Sequence, residues 1–77
     1  MNNARRKRID SLIDGINAVS TGIQTLRDEE EAAYDALPES LQDTGRADAM
    51  QEAMENLESA VDALGEAVDY LTEAKGE

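Results

Sequence analysis

The chain has 77 residues, room for one domain and too few for a generous single-chain core. Its 40% hydrophobic content includes twelve alanines, and there is no Phe, Trp, Cys or His. These gaps exclude a disulfide framework, a thiol nucleophile and a histidine base or metal ligand, while 18 acids against 7 bases give a net charge of −11 that repels DNA and anionic membrane.

The first element follows a basic start, Arg5, Arg6, Lys7 and Arg8, beyond which only Arg27, Arg46 and Lys75 oppose the acids. An amphipathic pattern rather than a signal-peptide apolar block comes next, and no run reaches the ~20 apolar residues of a membrane span. A chain that keeps its first residues and stays inside the cell is expected. Apolar residues recur every three or four positions: Ile9, Leu12, Ile16, Val19, Ile23, Leu26, Ala33 and Leu37. On a heptad lettered a to g, Ile9, Ile16, Ile23, Glu30 and Leu37 fall at a, and Leu12, Val19, Leu26 and Ala33 at d. The spacing predicts a helix over about 4–36, closed by Leu37–Pro38 because the residue before proline avoids helical backbone.

A turn over 37–44 follows. Ser40 and Asp43 resemble a capping box from which the second helix could start, and Thr44–Gly45 offers a later start preceded by a short helical turn over Pro38–Gln42. The second helix, over about 45–75, places Ala47, Met54, Val61 and Val68 at a and Met50, Leu57, Leu64 and Leu71 at d. In an antiparallel pair, a packs beside d, and here every layer from Ile9/Leu71 to Ala33/Ala47 has residue numbers that total 80. A parallel pair would need a connection as long as a helix. The expected fold is therefore all-α: a single antiparallel two-helix hairpin spanning residues 1–77.

Small residues flank this seam. Gly15 and Gly22 on the first helix and Ala53, Ala60, Ala67 and Ala74 on the second hold g positions at seven-residue spacing. Two helices need only a narrow seam, so this surplus is expected to build a homo-oligomer, a four-helix or larger bundle. Alanine as a plain surface helix former is the competing reading. The outer arc of the second helix is acidic, with Asp48, Glu55, Asp62 and Asp69 at b and Glu52, Glu66 and Glu73 at f. It reads as a solvated face, or as a polyanion mimic, since carboxylates one turn apart approach phosphate spacing.

Catalysis is not expected. The serines have no histidine to activate them, and there is no phosphate loop, calcium loop or ExxH pattern. No cofactor or metal is implied. Binding has two candidate places. Arg5, Arg6, Lys7 and Arg8 oppose the helix macrodipole, so they form either a clasp to the acidic C-terminal end, Lys7 opposite Glu73, or an anion site for a nucleotide. At the turn end, Glu30 stands in the core row with Tyr34 and Arg46 nearby, a polar cluster that fixes register or receives a ligand's base and phosphate.

The stretch EEEAAYDALPESLQDTGRADAMQEAMENLESAVDAL resembles short acidic proteins encoded by bacteriophages and mobile elements of gut Firmicutes. The shared pieces are an acidic run before Tyr-Asp, then LPESLQ, then an arginine-containing helix start. The resemblance covers about half the chain and implies phage or prophage origin, in the cytoplasm of a bacterial host cell. The expected function is that of a non-enzymatic, homo-oligomeric accessory protein acting by stoichiometric binding, with counter-defence as its setting. Its expected partners are itself and either a basic host protein surface or an anionic nucleotide. The alternative is a structural bundle with no ligand.

Overall fold

A computed structural model of the chain describes residues 1–41 and 45–76. Two helices, α1 (Asn3–Asp35) and α2 (Gly45–Lys75), pack antiparallel as a hairpin 59 Å long and 15 Å by 11 Å in section. Asn2 starts α1 with extended backbone, and its Oδ1 accepts the Arg5 backbone N–H at 2.8 Å, satisfying one donor that the first turn leaves open. The helix ends where Pro38 approaches: the Ala36 and Leu37 N–H groups donate to the Ala32 and Tyr34 carbonyls. A 3-10 turn over Glu39–Leu41 follows, closed by the Leu41 N–H on the Pro38 carbonyl at 2.8 Å. Ser40 lies in this turn and α2 begins at Gly45, while Asp43 lies outside the described residues.

The axial register is that of the heptad layers. When a and d partners total 80, e residues facing across the seam total 85. Arg27 meets Glu58 and Tyr34 meets Gln51 in that register, and the Asp10–Lys75 pair shares the total.

Rotation about the helix axes is where the expectation fails. On α1 the a row lies inward, with Ile9 buried and Ile16, Ile23 and Glu30 half-buried. The row beside it is not d but e: Arg6, Ile13, Ser20, Arg27 and Tyr34 are half-buried. Leu12, Val19 and Leu26 stay 59%, 56% and 54% exposed, and Ala33 is exposed as well. On α2 the inward arc spans a, d and g. It runs from Ala47, wholly covered, and Met50 at the closed end to Leu71 and Ala74 at the open end. The alanines explain the rotation: short side chains at Ala53, Ala60, Ala67 and Ala74 let α1 slide over g, which turns its e row inward and its d row out. These four alanines are thus half-buried within the hairpin itself. Gly15 and Gly22 are exposed, and a Cβ at either would meet nothing within 4 Å.

The result is a thin core. Of the described residues only Ile9, Ala47 and Met50 are buried, and no large side chain is fully enclosed.

Candidate binding surfaces

The turn-end cluster does not assemble as expected. Glu30 and Tyr34 are half-buried and Arg46 is exposed. No hydrogen bond or ion pair joins the three among the described residues. The Tyr34 hydroxyl instead accepts from Gln51 Nε2 at 2.8 Å. Arg46 stands at g, on the side of α2 away from the e edge where Tyr34 points, which accounts for the separation.

The cation that gathers acids is Arg27. Its Nε donates to Glu58 Oε1 at 2.9 Å across the seam, and its Nη1 binds Glu31 and reaches Asp28 at 3.4 Å. The Glu58 hydrogen bond, followed by the charges of Glu31 and Glu58 and the Asp28 bond, raises the guanidinium pKa against the opposing effect of desolvation. A groove lined by Gln24, Arg27, Leu57, Glu58, Val61 and Asp62 runs beside it. Sequence reasoning missed Arg27 because it sits at e, a position outside the a/d rows. Its available signal was isolation: it is the lone base between Arg8 and Arg46.

At the open end a clasp forms, with different partners from those expected. Arg6 Nε donates to the Lys75 carbonyl at 3.2 Å and its Nη1 to Asn3 Oδ1, while Lys75 Nζ pairs with Asp10 Oδ1 at 2.7 Å. A guanidinium at the carboxyl end of α2 satisfies an open carbonyl and complements the helix dipole. Arg5, Lys7 and Arg8 are exposed. Four consecutive helical residues point about 100° apart and so surround the helix. They do not converge on one site within a single chain. Arg5 and Arg8 share a recess with Met1, Ile9 and Leu12.

The acidic arc of α2 is fully presented. Asp48, Glu52, Glu55, Asp62, Glu66, Asp69 and Glu73 are all exposed. Among the described residues none of them makes an ion pair. No group of His, Cys, Asp or Glu among the described residues could hold a metal ion, and no described helix is long and apolar enough to cross a membrane.

No family model matches the chain, and neither does any curated protein or solved structure.

Proposed function

We propose that the chain is a non-enzymatic accessory protein that acts by stoichiometric binding, presenting the outer face of α2 to a basic protein surface. The observation that carries this reading is the row of seven exposed carboxylates that make no ion pair among the described residues, set on a 31-residue helix. Like charges at b and f cost helix stability where they fall four apart, so folding alone gives no reason for them. Fixed at about one per turn, roughly 5.4 Å apart, they offer a basic groove a regular row of negative charge, sparser than the ~3.4 Å per charge of one nucleic-acid strand. The resemblance of residues 29–64 to phage-encoded proteins supplies the setting, a viral product that occupies a host protein's nucleic-acid channel.

Sequestration of a nucleotide by Arg5–Arg8 has less support, because Arg6 is engaged with α2 and the others diverge. A purely structural bundle leaves the acidic row as a solubilising face. The test is capture of basic proteins from bacterial lysate, followed by competition with duplex DNA. Capture should weaken with salt, be displaced by DNA and vanish when Asp48, Glu55, Asp62 and Asp69 become Asn or Gln. Undiminished capture by that variant would sink the reading.

A further inference from the structure

The described bonds between α1 and α2 side chains all leave from b and e on α1 and from a and e on α2. They therefore lie along one edge of the seam. The other edge is lined by d and g of α1 and by g and c of α2. Between residues 11 and 26 the α1 part is Leu12, Gly15, Val19, Gly22 and Leu26, with three large side chains more than half exposed and two glycines open above them. Across from it, α2 contributes small or uncharged residues, with Tyr70 at the open end 72% exposed. The acidic rows point elsewhere, to the outer side of α2. One broad face of the hairpin is thus apolar and without charge at its centre.

We infer that this face is covered by a second copy of the chain, with the two α1 helices antiparallel about a two-fold axis near Val19. The choice of partner comes from charge. The d and g stripe of α1 is bracketed by Arg5 and Arg8 at its start and by Glu29 at its end. Turned antiparallel, each copy sets its arginines against the other's Glu29, whereas a parallel pair would stack arginine on arginine and acid on acid. The same operation brings Leu12 beside Leu26 of the second copy, Val19 beside Val19 and Gly15 beside Gly22, so the stripe complements itself. The recess between Arg5, Arg8, Ile9 and Leu12 lies where Leu26 and Glu29 of the second copy arrive.

Three further observations agree. The charges of α1 run against its own dipole, basic at the start and acidic at the end, while α2 has Asp48 in its first turn and Lys75 in its last. An antiparallel neighbour reverses that penalty by placing each charged end beside its opposite. Thr25, which borders the stripe, already donates its hydroxyl to the Thr21 carbonyl at 3.1 Å, so its one donor is satisfied within α1. The broad side of the whole hairpin is 59 Å by 15 Å, so a second copy laid along its full length covers at most about 900 Å² in projection, the scale of the ~800 Å² per partner of a standard interface. The inference stands apart from the acidic-surface reading, since the acidic rows point to the outer side of α2, beside this face and not into it.

The test is the solution mass of the full chain, paired with cysteine crosslinking, for which the absence of native cysteine is an advantage. The expected mass is twice the 8.4 kDa of one chain. Under mild oxidation Val19→Cys should form a covalent dimer. Leu12→Cys should not do so alone, and should crosslink when mixed with Leu26→Cys. Val19→Glu should halve the mass, and Arg8→Glu should weaken association and be rescued by adding Glu29→Arg. A wild-type monomer at high micromolar concentration overturns the proposal. So does Leu12→Cys crosslinking to itself as readily as Val19→Cys, which would mean a parallel pair. The cysteine variants decide the geometry even if Val19→Glu also lowers helicity.

Discussion

Individual side chains carry opposite burdens along the seam. Arg27 joins three acids on both helices, and its raised pKa means that the ionised form is favoured by folding. That contribution is complete below its unfolded pKa and fades only in strong alkali. Across ordinary pH, then, Arg27→Gln should lower the melting temperature by a constant amount, and the difference from wild type should shrink as salt screens the exposed partners. Glu30 is the opposite case, half-buried in the a row with no described ion pair. Glu30→Leu is expected to raise stability by about 1 kcal/mol through added apolar burial, read by urea unfolding. A clearly less stable variant would show that the Glu30 carboxylate has a stabilising partner in the fold. Gly15 and Gly22 separate fold from assembly. In one hairpin a Cβ meets nothing at either site, so Ala should gain about 1 kcal/mol of helix propensity each. Against a second copy the same methyl groups hold the helices apart, so the double variant should be more helpful to the helix yet less associated by mass.

At the level of the helix, the sequence made the axial order legible and left the rotation undecided. Proline and heptad spacing marked two helices and one register, and Arg27–Glu58 and Tyr34–Gln51 fall in it. Which rows face inward depends on side-chain size across the seam. Leu12 and Ile13 are neighbours in sequence, and either can serve the core when the facing row is alanine. The four g alanines of α2 gave α1 room to turn, so Ile13 went in and Leu12 stayed out. Arg27 was missed for the same reason, since a seam drawn through a and d leaves e outside. The expected link between Glu30, Tyr34 and Arg46 rests on proximity along the axis, whereas Tyr34 at e and Arg46 at g belong to opposite edges of the seam. A direct consequence follows for dilute protein, where association is minimal. Ile13→Ala should cost about 1–2 kcal/mol of hairpin stability and Leu12→Ala much less. Equal losses would mean that the a/d seam, not the rotated one, describes the single hairpin.

For the whole molecule, the deciding quantities are a net charge of −11 and a core of three buried residues among those described. With so few bases among the acids, self-repulsion exceeds the handful of ion pairs, so moderate salt should raise thermal stability rather than lower it. A fall in melting temperature on adding salt would show that the pairs at Arg27 and Lys75 dominate instead. Division of labour between faces follows from the same numbers. On the proposed reading the acidic outer row of α2 meets a basic partner, and a second copy on the uncharged face over Leu12, Val19 and Leu26 would add the apolar burial that two helices alone lack. Mass action tests that self-association most directly. Helical circular dichroism should be followed through thermal unfolding over a hundredfold range of protein concentration. The melting temperature should climb steadily with concentration, and the Val19→Glu variant should lose that dependence. A wild-type chain that melts at one temperature throughout the range, fully helical when most dilute, would contradict it.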